Sequence, residues 1–273
     1  MTPLVQIENL TVTFPLGRRL LGTPPTLQAV KDVTLDIPKG SFVGLVGESG
    51  SGKTTLGRAI LQAAPISDGR ITYNDGSNRF DIGAMSRAEQ RAFRAEAQLI
   101  FQDPYAALSP RLTVRDIIAE PLEILGLTRT RTETDERVRD IASKCRINLE
   151  HLRRYPHAFS GGQRQRISIA RALVADECVA ALDMSIQADI LNLLKRLQRD
   201  MDLTFLFISH DLSVVGHVCD DLAVMYLGEI VEEGPTREVF SNPRHPYTRT
   251  LLAAIPSLDP DQRSRVMQFN AEA

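Results

Sequence analysis

The octet Gly47-Glu48-Ser49-Gly50-Ser51-Gly52-Lys53-Thr54 constrains this chain more than any other stretch: it matches G-x-x-x-x-G-K-[ST] and follows directly on the apolar run Phe42–Val46. Such a loop cradles phosphate. Its glycines permit a tight turn and a close backbone approach that a Cβ would block, and successive backbone N–H groups then face an anion at the start of a helix. Lys53 supplies a point charge to the β- and γ-phosphates, the Thr54 hydroxyl a ligand for Mg²⁺, and Thr55 continues the phosphate-facing set. Strand, glycine-rich turn and helix in that order predict an α/β fold.

At 273 residues and 43% apolar, the chain has enough material for one large core or a core with a satellite subdomain. A net charge of −2 gives no basic footprint for nucleic acid. The N-terminus lacks a basic n-region and a long apolar run, and no window reaches the ~18 apolar residues of a membrane span, so a soluble cytoplasmic chain is expected. Cys145, Cys178 and Cys219 are widely spaced with no C-x-x-C pair, which predicts buried free thiols rather than a disulfide framework or zinc site.

Residues 4–14 and 27–37 alternate apolar and polar and predict antiparallel strands. A helix is expected from Thr54 to about Ala64, stopped by Pro65, then a strand at 71–73 and a helix within 85–98. Residues 109–157 read as a helical insertion, because Val114, Ile117 and Ile118, then Val138, Ile141, Ala142 and Cys145, recur at helical spacing. Within it, residues 128–134 are low in apolar content and predict a solvated loop. Ser160-Gly161-Gly162-Gln163 opens the amphipathic stretch 164–173 and offers a second anion site at a helix start. Apolar runs ending in Asp176-Glu177 and in Ser209-His210-Asp211 set polar groups at strand C-termini, where open α/β sheets bind ligands. A helix is expected over 185–199, a strand over 203–208, a hairpin across Gly228-Glu229, and a helical tail from Pro235.

In this order the motifs resemble the nucleotide-binding subunit of an ATP-binding cassette (ABC) transporter, over about residues 4–255. The resemblance implies a P-loop NTPase cassette with a RecA-like core, an antiparallel β-subdomain and an α-helical subdomain at about 103–165, the domain covering 1–256 and a short tail 257–273. It implies ATP and Mg²⁺ as cofactors. Gln102 becomes the Q-loop glutamine, Ser160-Gly161-Gly162-Gln163 the signature, Asp176-Glu177 the Walker B pair, Ala181-Leu182-Asp183 the D-loop and His210 the switch histidine. Thr54, Gln102 and Asp176 would position the metal, Glu177 would orient the attacking water, and His210 would sense the γ-phosphate. Phe14 would stack on adenine.

Phe101-Gln102-Asp103-Pro104, Tyr155-Pro156-His157 and His245-Pro246-Tyr247-Thr248 look most like the dipeptide/oligopeptide importer branch, which nickel and glutathione importers share. The implied partners are a second ATPase subunit, paralogous or identical, whose signature completes this chain's site, two transmembrane permease subunits, and indirectly an extracytoplasmic solute-binding protein. The implied location is the cytoplasmic face of the inner membrane, peripheral through the permease.

The sequence departs from the family in one place that bears on catalysis. Only twelve residues, 164–175, lie between Gln163 and Asp176. A buried strand of about five residues and a loop of at least about two leave about five for a helix, where the family has roughly seven residues more. Two arrangements are expected. Either the helix unwinds so that 173–175 fill the strand slot, or the strand is missing and Asp176-Glu177 stand away from Mg²⁺, leaving a subunit that binds nucleotide and hydrolyses it poorly. A non-transport ABC ATPase is the remaining alternative. With no cysteine after Cys219, no iron–sulfur cluster is expected.

Overall fold

The computed structural model describes residues 3–17, 25–100, 108–174, 179–183, 188–209 and 211–254. Period-2 patterning builds the first sheet: β1 (Val5–Pro15) and β2 (Thr26–Ile37) pair antiparallel and bury Val5, Ile7, Leu10, Val12, Val30, Val33, Leu35 and Ile37. β3 (Phe42–Val46) belongs to the second sheet and leads into α1 (Lys53–Ile60), shorter than expected because Gln62 turns to a φ of 54° ahead of Pro65. β4 (Asp68–Asn74) and β5 (Arg79–Asp81) complete the first sheet in the order β2-β1-β4-β5. α2 (Arg87–Glu96) starts on a capping box between Ser86 and Glu89.

β6 (Ala97–Ile100) opens the far edge of the second sheet. The helical insertion follows as α3 (Val114–Leu125), capped by Thr113, and α4 (Arg131–Lys144), capped by Thr130. The expected loop over 128–134 is therefore corrected. The Thr130 Oγ1 accepts the Glu133 N–H at 3.2 Å and the Glu133 carboxylate accepts the Arg129 N–H at 2.8 Å, so polar residues that look loop-like in sequence form a cap and first turn. α5 (Gly161–Leu173) packs on α3. β7 (Val179–Asp183), α6 (Ala188–Met201), β8 (Thr204–Ser209), α7 (Leu212–Val218), β9 (Asp221–Tyr226), β10 (Glu229–Pro235), α8 (Thr236–Ser241) and α9 (Pro246–Ala253) complete the order. The hairpin turns on Leu227 and Gly228, with φ of 48° and 95°, one residue earlier than expected.

The second sheet runs β10-β9-β3-β8-β7-β6, parallel except for the β9–β10 hairpin. β3 and β8 are buried at every position, as a central parallel strand covered on both faces must be. Alternation then splits the core in two. Phe42, Val46, Phe205 and Phe207 join α3, α5 and α6 on one face, and Val43, Leu45, Leu206 and Ile208 join α1 and the first sheet on the other.

The first arrangement expected for 164–175, in which the helix unwinds, does not hold; in the second, a strand is present after all, while the place of Asp176-Glu177 lies outside the described residues. α5 stays helical through Leu173, burying Ile167, Ile169, Ala170 and Leu173, and the slot between β6 and β8 is filled by Val179–Asp183. The strand is drawn from downstream because Val179–Asp183 is itself an apolar run ending in an acid, as a strand between β6 and β8 requires. Unwinding α5 would instead expose a buried face. Ala181-Leu182-Asp183, expected in a D-loop, are thus strand residues.

Cys145 and Cys219 are buried free thiols, as expected; burial pushes Cys145 up to about 12 against the opposing pull of Arg196 and Arg166, and raises Cys219 further. Cys178 lies outside the described residues.

Candidate nucleotide-binding site

The chain leaves β3 at Val46, level with Ser209 of β8 and Val224 of β9, at the C-terminal edge of the parallel sheet. The turn that follows has φ of 150° at Gly47, 84° at Gly50 and 107° at Gly52. A Cβ on Gly47 would lie 2.1 Å from the Met225 carbonyl oxygen, and one on Gly52 would lie 2.2 Å from that of Ala29. Space and backbone conformation both require glycine there. α1 then begins on Gly52 with no side chain capping its first turn, so the positive end of the helix faces the cleft beside the loop.

Lys53 is buried, and its ammonium donates to the Gly47 carbonyl at 2.7 Å, the Glu48 carbonyl at 2.6 Å and the Ser51 hydroxyl at 3.2 Å. The loop thus holds a desolvated positive charge in place before any anion arrives, which lowers the reorganisation that binding requires. Beside it lies a cleft of about 520 Å³ walled by Phe14, Leu27, Ala29, Ser49, Gly50, Gly52, Lys53, Thr54, Thr55 and Ser209. Phe14 and Leu27 face each other across the β1–β2 register, giving one end of the cleft an apolar wall and the other a cationic floor. An aromatic base with a polyanionic tail has this polarity.

The sequence-predicted residues divide into three groups. The phosphate loop and Phe14 come together on one cleft. Ser160 and its neighbours do not line it. Ser160 caps α5 through a capping box, its hydroxyl accepting the Gln163 N–H at 3.4 Å while its own N–H donates to the Gln163 side-chain oxygen at 3.0 Å, and Ser160, Gly161 and Gln163 are exposed. Gln102, Asp176, Glu177 and His210 lie outside the described residues. Ser209, just before His210, lines the cleft, and its hydroxyl accepts the Asp211 N–H at 3.0 Å. Sequence reasoning missed Leu27 and Ala29, although the antiparallel register opposite Phe14 would have found Leu27. It also missed the outer side of the loop, where Tyr247 and Gly228 bond to it, because nothing local in sequence signals the Glu48–Tyr247 contact across 199 residues.

A family model described as ABC transporter matches residues 30–186, more than half of the chain, including the glycine-rich loop and the start of α1. The chain belongs to the ABC transporter family. A second model, described as the C-terminal region of oligopeptide/dipeptide transporters, matches residues 231–272 of the same ABC chain. The oligopeptide transport ATP-binding protein OppF of Bacillus subtilis is 51% identical over 273 residues, covering 97% of this chain and 87% of that protein. The dipeptide transport ATP-binding protein DppF of Lactococcus lactis is 48% identical over 266 residues, covering 94% and 82%. Among solved structures, a dimeric ATP-binding cassette in a post-hydrolysis state with ADP and Pi superposes with a TM-score of 0.71 at 25% identity, over 85% of this chain and 99% of that one. The α/β cassette fold expected from sequence is the fold found, and ABC ATP-binding subunits of this kind are ATPases.

Proposed function

We propose that the chain is the ATP-binding subunit of a peptide importer, converting ATP binding and hydrolysis into transport of oligopeptides or dipeptides through membrane partners. The observation that carries this reading is the cleft that joins Phe14 to the glycine-rich loop and the desolvated Lys53. The relatives' names supply the solute class. No helix among the described residues is long and apolar enough to cross a membrane, so transport needs permease subunits, on whose cytoplasmic side this chain would sit.

In this reading Phe14 stacks on adenine, and the residues 49–55 receive the phosphates through the loop, the first turn of α1 and Lys53. The cradle fits Mg²⁺ as nucleotide-borne metal. The Thr54 hydroxyl gives a hard oxygen ligand at the cleft, and no cluster of three acidic, histidine or cysteine side chains among the described residues forms an all-protein cage. Bound there, the metal neutralises phosphate charge. Positioning and charge neutralisation supply most of what phosphoryl transfer requires. Gln102 and His210 keep their roles as metal-positioning and γ-phosphate-sensing residues, and Glu177 keeps the water-orienting role if its neighbour Asp176 is the metal carboxylate. The signature Ser160-Gly161-Gly162-Gln163, exposed and away from this cleft, serves the nucleotide of a second cassette, whose own signature closes this one.

A second reading concerns the metal carboxylate and is carried by the register of β7. Asp183 ends that strand level with Ile208, one step before cleft-lining Ser209, the strand-end position in which the family's Walker B aspartate stands. In this second reading the metal carboxylate is assigned to Asp183 instead of Asp176. Under it, Asp183→Asn lowers the enhancement of ATP affinity by Mg²⁺ about 10-fold, roughly the loss of one charged ligand, and Asp176→Asn leaves it within about 2-fold. Titration of ATP with and without Mg²⁺ reads this, and the reverse pattern returns the role to Asp176.

Function itself is tested by uptake of a labelled oligopeptide into proteoliposomes holding the assembled complex. ATP-dependent accumulation is expected, abolished by Lys53→Ala in this chain; uptake indifferent to that substitution contradicts the proposal.

A further inference from the structure

The phosphate loop is gripped from outside by the C-terminal part of the chain. The Glu48 N–H donates to the Tyr247 hydroxyl at 2.9 Å, and the Gly228 N–H donates to the Ser51 carbonyl at 3.0 Å. Glu48 is not among the residues that wall the cleft, and its N–H is committed to Tyr247.

Tyr247 is held for this contact from three directions. His245 caps α9, its ring nitrogen accepting the Tyr247 N–H at 3.2 Å, and Pro246 occupies the first helical position with its φ preset. The Glu232 carboxylate on β10 accepts the Arg244 N–H at 2.7 Å and the His245 N–H at 3.0 Å, clipping the start of the helix to the sheet. The Tyr247 ring stacks on Tyr226, the last residue of β9, with centroids 4.1 Å apart. Met225, next to Tyr226, is the residue whose carbonyl leaves no room for a Cβ on Gly47. The His-Pro-Tyr-Thr segment thus delivers one hydroxyl to one peptide of the loop.

What that bond does follows from Lys53. Its ammonium ties Gly47, Glu48 and Ser51 to one another, and a charge drawn to phosphate must release some of those oxygens. The outer half of the loop then depends on ties that the nucleotide does not disturb. We propose that Tyr247 is a positioning residue of the nucleotide site: its hydroxyl holds the Glu48 peptide, and with it the phosphate loop, in the shape that receives the phosphates once Lys53 turns to them. The C-terminal segment thereby sets the affinity for phosphate without touching the nucleotide. This rests on the reading of the cleft as an ATP site.

The test is Tyr247→Phe in the full chain, which keeps the ring stack and removes only the hydroxyl. Calorimetric titration is expected to show MgATP and MgADP binding about 5-fold more weakly, the worth of one hydrogen bond, with adenosine unchanged and Tm preserved. In the assembled complex KM for ATP rises by a similar factor while kcat stays within about 2-fold. Tyr226→Phe, which also keeps the stack, leaves all of these at wild-type values. Binding of MgATP by Tyr247→Phe at wild-type affinity, with Lys53→Ala still defective, overturns the proposal and leaves the ATP reading intact. So does a loss shared by adenosine or accompanied by a fall in Tm, which would mean that Tyr247 only supports the fold. A wild-type chain that binds no ATP removes the reading beneath it as well.

Discussion

Lys53→Ala lowers MgATP affinity by about two orders of magnitude or more. Hydrogen bonds to charged groups contribute about 1.5–3 kcal/mol each, and the ammonium would make at least two to the phosphates, which places the loss at about 3 kcal/mol or above. Because the ammonium is already desolvated among the Gly47 and Glu48 carbonyls and the Ser51 hydroxyl, no exposed lysine nearby substitutes for it. Lys53→Arg fails nearly as badly: a planar guanidinium does not fit a pocket shaped by two carbonyls around a compact ammonium. Calorimetry on the purified chain measures both. Affinity within about 3-fold of wild type in Lys53→Ala would remove the phosphate role from this loop.

Gly52→Ala has the second large effect, and here the damage is to the loop itself. The new Cβ would lie 2.2 Å from the Ala29 carbonyl oxygen and 2.7 Å from the Met225 methyl, at a φ of 107°. The methionine can swing aside, but Ala29 sits in β2, so the loop must move instead. Steric displacement added to left-handed strain of about 1–3 kcal/mol predicts a stability loss near the top of that range together with loss of nucleotide binding. Gly50→Ala is the contrast, with φ of 84° and nothing within 4 Å of its Cβ. It bears conformational strain alone and retains measurable binding. Thermal melts with and without MgATP separate the two, and a Gly52→Ala variant as stable and as responsive to ATP as Gly50→Ala would contradict the steric account.

Most of the fold was legible because its local signals agree. The alternation in 4–14 and 27–37 became β1 and β2, and the helical spacing of Val114, Ile117 and Ile118 became the buried face of α3. Two misreadings have physical causes. Residues 128–134 were too polar to look helical, yet their polarity builds the Thr130 cap of α4. Between Gln163 and Asp176 there are too few residues for helix, turn and strand, and the strand that occupies the slot comes after Asp176 in the chain. A sheet slot requires an apolar segment of the right length, and Val179–Asp183 meets that requirement. In the site, the loop and Phe14 could be read from sequence because spacing specifies them. The grip of Tyr247 on Glu48 could not, since it depends on two distant elements meeting in three dimensions.

The cassette is expected to turn over ATP with the natural spacing between α5 and β7. Steady-state hydrolysis by the assembled complex tests it, comparing the natural chain with a variant carrying about seven inserted residues after Leu173 to restore the family's usual spacing. ATP-dependent turnover by the natural chain is expected, within a few-fold of the lengthened one and abolished in both by Lys53→Ala. Turnover that appears only when the inserted residues are present would contradict it.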